Sequence, residues 1–332
     1  MKILYIYRHP NLGFSIGKVF RPIEQEMKKK CEVDTLYLPR AGYSFLCLID
    51  NIQALEKKVR EKHYDIVHIT GTENYLIPFL LKQNVVVTVH DLCHYFQLKG
   101  FSKVMYYMAN IWPLCFADKI TCISESCKQD LLKVLPRVRS KSICIPNAIG
   151  EDFSFIEHKF NVEHPRVLHI GIKKQKNLLR SIYALKGINV HLRIIGRITS
   201  EVEKLLKKFH FDYSYVYNIS DSDLIKEYAN ADIVNFPSLY EGFGMPILEG
   251  QAIGRPVITS DREPMRTVAG EEACLCNPTD ITSIRDVYHR IIKDANYREH
   301  IVEKGLRNVK KYELRAITKM FYNLYKEVCH EL

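Results

Sequence analysis

A chain of 332 residues is longer than one hydrophobic core usually serves, so two domains of roughly 150 residues each are expected. An apolar fraction of 47% is that of an ordinary globular protein. No apolar run reaches membrane-spanning length; the longest, Phe101 to Ala117, is broken by Lys103, Asn110 and Pro113. The formal charge of +10 suits nucleic acid, an anionic membrane surface or a polyanionic substrate, and no nucleic-acid motif accompanies it.

The first half alternates short apolar runs with helical patterns. Strands are predicted at Lys2–Tyr7, Val33–Leu38, Asp65–Thr70, Val85–His90, Lys119–Ile123 and Ser142–Ile145. Helices are predicted between them at Val19–Lys29, Ile52–Lys62, Tyr75–Leu81 and Glu125–Leu135. A polar, irregular stretch from Asn147 to Pro165 reads as a linker, after which the alternation restarts. Strands follow at Val167–Ile170, His191–Ile195, Asp232–Phe236 and Val257–Thr259, and helices at Leu178–Leu185, Asp221–Ala229 and Ile281–Lys293, with two more closing the chain. Short apolar strands separated by helices indicate parallel, doubly wound α/β sheets.

Met1-Lys2 runs directly into the strand-like ILYIY, so no secretory leader is expected at this end. Ten cysteines lack paired zinc spacing; Cys122 and Cys144 fall in apolar strands, and Cys274-Leu275-Cys276 is isolated. Reduced thiols of this kind point to a cytoplasmic compartment. The basic runs Lys28–Lys30 and Lys57–Arg60 read as solvated helix faces, or as attraction to anionic lipid at the inner face of the cell membrane.

The most informative stretch is NFPSLYEGFGMPILEGQAIGRP, Asn235 to Pro256. An apolar strand meets Pro237, and Glu241-Gly242-Phe243-Gly244 forms a glycine loop. Pro246 opens a helix, and Gly254 ends it. Such a loop at the carboxyl edge of a sheet, leading into a helix N-terminus, attracts anions and polar ligands. Glu241 in the loop and Glu249 two turns into the helix each offer a carboxylate able to take two hydroxyl hydrogen bonds.

PSLYEGFGMPILEGQAIGRPVITSD resembles the signature segment of the retaining, nucleotide-sugar-dependent glycosyltransferases of family four. The glutamates eight residues apart are the most specific mark. The resemblance implies the GT-B fold, two Rossmann-like doubly wound domains facing across a cleft. It places an acceptor-side domain over residues 1–155, a nucleotide-sugar domain over 156–312, and a helix crossing back to the first domain over 313–332. It also implies that Glu241 faces the donor sugar and Glu249 the ribose, with Gly242, Phe243, Gly244 and Met245 completing the donor site.

A second loop, Gly171-Ile172-Lys173-Lys174-Gln175-Lys176-Asn177, follows the first strand of the second half, where N–H groups and lysines can converge on a diphosphate. It resembles the family's phosphate loop. Lys176 matches the second basic position, whereas the first, often arginine, is occupied here by Ile172, with Lys173 the nearest cation.

Asn11 to Gly17 follows the first strand without the GxGxxG of dinucleotide binding. Family members carry adjacent glycines there; Gly13 and Gly17 are the counterparts, and the resemblance places Gly17 among the donor-binding residues. Val87-Thr88-Val89-His90-Asp91 ends a strand with a histidine able to bond the sugar or support the acceptor hydroxyl. His90, Cys93 and His94 lack the second shell of a metal site. Asp221-Ser222-Asp223 lies behind Ser220 as a helix-capping box rather than a metal–diphosphate motif.

The expectation is a metal-independent, retaining hexosyltransferase with no cofactor, its nucleotide sugar being a substrate. Glu241, His90 and Lys176 are assigned to catalysis. A UDP- or GDP-sugar is the donor, and a glycan or lipid-linked acceptor of bacterial surface polysaccharide synthesis receives the sugar. Tyr95, Phe96, Phe101, Met105, Tyr106, Tyr107 and Trp112, with Lys99 and Lys103, would form an apolar-basic rim for that acceptor. The rivals are a nucleotide-sugar 2-epimerase of the same fold, which needs no acceptor, and a non-catalytic sugar-nucleotide binding protein.

Overall fold

The computed structural model describes residues 1–12, 15–271 and 273–330. It divides into two compact units, Met1–Ala148 with Leu314–Leu332, and Ile149–Glu313. The polar stretch after Ala148 therefore belongs with the second unit.

The first unit carries six parallel strands, β1 (Lys2–Tyr7), β2 (Glu32–Tyr37), β3 (Ile66–Ile69), β4 (Val85–Val89), β5 (Lys119–Cys122) and β6 (Ser142–Cys144), in the order β2-β1-β3-β4-β5-β6. The second repeats the plan with β7 (Arg166–Ile170), β8 (His191–Ile195), β9 (Asp212–Val216), β10 (Ile233–Phe236), β11 (Val257–Ser260) and β12 (Cys274–Cys276), in the order β12-β11-β10-β7-β8-β9. Strands β3, β4, β10 and β11 are buried along their whole length, as helices on both faces of a parallel sheet require.

Each sheet reverses direction once. In the first unit the chain runs from β1 out to β2, then returns to the other side of β1 with β3; in the second it runs from β7 to β9, then returns with β10. At such a reversal the two loops leaving the carboxyl ends diverge and open a crevice, the usual ligand site of a doubly wound sheet.

The final helix, Leu314–His330, packs on the first unit through Ile317, Phe321, Leu324 and Tyr325. A buried chain of polar groups fastens it there. The Tyr325 hydroxyl meets Tyr5 Oη at 3.1 Å and His68 Nδ1 at 2.5 Å, while His68 Nε2 meets Thr88 Oγ1 at 2.8 Å. Burial lowers the His68 pKa to about 3, so the imidazole is neutral and the chain needs no counter-ion.

The structure adds elements to the predicted set and corrects others. Tyr75–Leu81, expected as a helix, is a 3-10 segment over Asn74–Leu80 containing Pro78. The helix Ser15–Lys28 begins earlier than expected, so Gly17 lies within its first turn. A helix at Ser200–Lys208, the edge strand β9 and the three-residue β12 over Cys274–Cys276 are additional. No helix among the described residues is long and apolar enough to cross a membrane, and all ten cysteines are free.

The expected rim splits in two. Tyr95, Tyr106 and Tyr107 turn inward and pack against the first unit's core, whereas Phe96, Phe101, Met105 and Trp112 point out. The Lys103 ammonium lies 4.6 Å above the Tyr95 ring.

Candidate active site

In the second unit both loops of the reversal carry the residues singled out by sequence. After β7, Gly171 adopts φ +86°, and a Cβ there would come within 3.0 Å of Lys176 Cγ. Only glycine provides both that backbone conformation and the space for the Lys176 chain to lie across it. Lys176 then reaches the other loop. Its Nζ donates to Glu241 Oε1 at 2.7 Å and sits 4.7 Å above the Phe236 ring. Both charged side chains are largely withdrawn from solvent, so their attraction is screened less than that of a surface pair.

The two loops are also joined through the backbone. Leu239 N donates to the Gln175 carbonyl at 2.7 Å, and Asn177, buried and left-handed at φ 65°, donates through Nδ2 to the carbonyls of Pro237 (2.9 Å) and Pro278 (2.7 Å). One strand register deeper, His169 of β7 pairs with Asn235 of β10, and Asn235 Nδ2 donates to His169 Nδ1 at 2.8 Å. Burial, helped by the nearby Lys176 charge, lowers the His169 pKa to about 3, and the ring accepts this bond as a neutral group.

The glycine loop passes into the helix Met245–Ile253 through Gly244 at φ +113°, and Gly254 at φ +83° ends it. This helix packs so closely that a Cβ on Gly250 would lie 2.8 Å from Val257 Cγ2 and 3.0 Å from Val234 Cγ2. Its position on β10 and β11, and with it that of Glu249, is thereby fixed. Tyr228, fully buried on the preceding helix, donates its hydroxyl to Glu249 Oε2 at 2.5 Å. Burial raises the Tyr228 pKa well above the ordinary phenol value, which keeps it the donor.

The second unit thus brings Gly171, Lys176, Glu241, Gly242, Gly244, Met245 and Glu249 onto the two loops and the helix that follows the second. Lys173 is exposed on the same loop as Lys176, and Ile172 packs partly into the core. Phe243 is turned inward, its ring 5.9 Å from that of Tyr312, so its side chain anchors the loop and is unavailable to a ligand. Ser220 caps its helix as expected, accepting from Asp223 N at 3.1 Å.

In the first unit, the loops after β1 and β3 carry Arg8 and Glu73. Burial pushes the Glu73 carboxyl above its usual range, against the opposing pull of Arg8. Gly17 lines a small pocket with Arg8, Arg21 and Tyr37. Gly13 lies outside the described residues. His90 follows β4, and its Nε2 donates to the Thr70 carbonyl at 2.8 Å. Burial holds this imidazole below its ordinary pKa, so in the neutral ring Nδ1 is the acceptor.

Residues 151–308 match the family described as Glycosyl transferases group 1, and residues 21–153 match Glycosyltransferase Family 4. The chain belongs to the group 1, family-four glycosyltransferases. The chain is 27% identical over 219 residues to the serotype-specific mannosyltransferase WbdA of Escherichia coli, an alignment covering 58% of this chain and 27% of that one. It therefore spans about a quarter of that relative's length. It is 28% identical over 259 residues to the capsular polysaccharide biosynthesis glycosyltransferase CapM of Staphylococcus aureus, covering 70% and 68% of the two chains. Among solved structures, Anabaena HepE in complex with UDP-glucose superposes with a TM-score of 0.80 at 13% identity, over 98% of this chain and 100% of that one. The fold is GT-B, with two Rossmann-like units.

Four residues carry no mark in the sequence reading: Asn177 and Tyr228 at the loops of the second unit, and Arg8 and Glu73 at those of the first. Asn177 had a local signal, since an asparagine closing a basic turn before an apolar helix suits a left-handed position. The other three act through neighbours far along the chain and leave no local pattern.

Proposed function

We propose that this chain is a retaining hexosyltransferase that moves a sugar from a UDP- or GDP-sugar to a glycan or lipid-linked acceptor, in bacterial surface polysaccharide synthesis. The observation that carries the reading is the Lys176–Glu241 ion pair at the reversal of the second sheet, with Glu249 held by Tyr228 on the adjoining helix. A diphosphate entering here offers Lys176 a more highly charged partner than one carboxylate. Its arrival exchanges the ion pair for a lysine–phosphate contact and releases Glu241 to accept hydrogen bonds from sugar hydroxyls.

Glu249 accepts from the ribose, and Gly242, Gly244 and Met245 offer backbone to the donor. Lys176 offsets the charge that grows on the departing diphosphate, a role for which Lys173 is the second cation. In the front-face route the bond from the anomeric carbon to the diphosphate breaks while that to the acceptor oxygen forms on the same face. The departing phosphate oxygen takes the acceptor's proton. No divalent cation and no cofactor enter this scheme. His90 is assigned to catalysis, bonding the donor sugar or supporting the acceptor hydroxyl, and Gly17 to donor binding. The mannosyltransferase and capsule names of the bacterial relatives support a hexose donor and a surface glycan, and the UDP-glucose bound by HepE supports a nucleotide sugar.

A thermal-shift panel of UDP, GDP, ADP and their sugars tests the donor, because a ligand of the native state raises the melting temperature by mass action. One nucleotide family should give a clear rise at millimolar concentration. No rise with any of them would overturn the reading.

The membrane side of the proposal rests on the helical segments from Gly100 to Phe116. Phe101, Val104, Met105, Met108, Trp112 and Phe116 recur at helical spacing and are all exposed, Phe101 at 78% and Met105 at 53%. A contiguous apolar ridge beside Lys99 and Lys103 suits the headgroup region of an anionic bilayer. It would hold this cytoplasmic protein at the inner face of the membrane. Sedimentation with vesicles containing anionic lipid should fall severalfold when Phe101 and Met105 become Ser, or when Lys99 and Lys103 become Glu. Unchanged pelleting in both variants would remove the membrane from the reading.

A further inference from the structure

The amino ends of β7, β8 and β9 lie at the opposite edge of the second sheet from the candidate site, and three side chains with metal-ligand chemistry meet there. His164 stands two residues before β7, His191 opens β8 and Asp212 opens β9. Arg166 pairs in register with His191, and His191 with Asp212, so the sheet sets His191 beside Asp212, with His164 two residues before the paired position on β7. His164 Nε2 lies 2.9 Å from Asp212 Oδ2, and His191 Nδ1 lies 2.9 Å from the same oxygen. The three ligand atoms fall within 4.8 Å of one another, and theirs is the group of this kind found among the described residues.

The outer partners decide what these rings present. Asn189 Nδ2 donates to the Glu163 carbonyl at 2.7 Å, which fixes the amide with its oxygen towards His164 Nδ1, 2.9 Å away. An amide oxygen only accepts, so His164 Nδ1 carries a hydrogen. His164 Nε2 then meets the carboxylate oxygen either as the N–H of an imidazolium, which the Asp212 hydrogen bond favours by raising the His164 pKa, or as a lone pair that a bound cation bridges in place of that proton. His191 Nε2 is anchored in turn by Ser214 Oγ at 2.7 Å. Histidines whose far nitrogens are tied down while their near nitrogens converge with a carboxylate are arranged as metal ligands are.

We propose that His164, His191 and Asp212 form a binding site for a divalent transition metal, zinc being the chemical match, with solvent as the fourth ligand. Two imidazoles and one carboxylate are a borderline-soft set that suits zinc better than magnesium or calcium. Tetrahedral ligands at zinc bond lengths lie about 3.4 Å apart, so each 2.9 Å contact to Asp212 needs to widen by only about half an ångström. Asp212 is exposed, which leaves an open path for the ion. The ion would clamp three strand ends and stabilise the second unit, without touching the donor loops at the carboxyl edge.

The test uses the full chain, stripped with a chelator and titrated with zinc against a chromophoric competitor at fixed pH under reducing conditions. Wild type should take up one more micromolar-affinity zinc per chain than His164→Gln or Asp212→Asn. Its melting temperature should rise with zinc, and the variants should lose that rise while melting with wild type in excess chelator. His164→Gln can still donate to Asp212, which keeps the comparison informative if Asp212→Asn does not fold. Equal zinc uptake by wild type and His164→Gln would place the metal on the cysteines and overturn the proposal. No uptake by wild type at micromolar zinc would overturn it too.

Discussion

Glu241→Gln should lower kcat for sugar transfer about a thousandfold while leaving nucleoside diphosphate binding intact or slightly tighter. In the free protein the Glu241 carboxylate holds Lys176 Nζ at 2.7 Å, so a diphosphate must compete with it for the lysine. The neutral amide weakens that competition, which is why binding is retained. In the proposed role of Glu241 the same change removes an anionic acceptor from the reacting sugar, and loss of one preorganised polar contact in a transition state typically costs about a hundred- to a thousandfold. Glu249→Ala should behave differently, raising the donor KM about 10- to 100-fold with a smaller change in kcat, the effect of losing a charged hydrogen bond made equally to bound donor and transition state. Tyr228→Phe removes the hydroxyl that orients Glu249 and should share the direction of that KM effect. Steady-state kinetics with the donor found by thermal shift, together with titration of the free nucleotide, separates these outcomes. Wild-type turnover in both Glu241→Gln and Glu249→Ala would dismiss the site.

Asn177→Ala should destabilise the second unit by about 3 kcal/mol. Two donors to buried carbonyls disappear, each hydrogen bond contributing about 1 kcal/mol. Alanine at φ 65° adds about 1 kcal/mol of backbone strain that asparagine tolerates better. For a unit of this size the melting temperature should fall by about 6–12 °C. Asn177→Gly relieves the strain without restoring the bonds, so it should fall less. Because Asn177 ties the Lys176 loop to Pro237, both variants should also weaken diphosphate binding below the melting transition. Calorimetry on the two variants checks the order, and an Asn177→Ala protein melting within about 2 °C of wild type would show that the side chain does not hold the loops together.

Much of the architecture was written locally. The helices Leu178–Leu185, Asp221–Ala229 and Ile281–Lys293 fall where their patterns placed them, because caps such as Ser220 and stops such as Gly254 act within one turn. Strand β9 escaped because an edge strand half open to solvent alternates weakly, and β12 because three residues are too few to show a period. The aromatic rim was legible as composition but not as orientation. Tyr106 faces the core and Met105 faces solvent, one residue apart, and a sequence rich in apolar residues on both sides does not say which stripe is covered.

The candidate site divides along the same line. The glycine loop, Pro246, Gly254 and the two glutamates form one contiguous stretch whose local backbone demands identify it, and the Lys176 loop is another. That Lys176 reaches Glu241 is not local; the two stand 65 positions apart and meet because the sheet reverses between β7 and β10, bringing both loops to one crevice. Tyr228 beneath Glu249, and the meeting of His164, His191 and Asp212 at the opposite edge, depend likewise on which strands and helices become neighbours. Sequence alone determined the alternation, the helix ends and the membership of the two loops, because φ preferences, capping and hydrophobic period act over a few residues. Tertiary structure decided the ion pair, the buried tyrosine and the three strand-end ligands, because strand order and register are settled by the packing of whole elements.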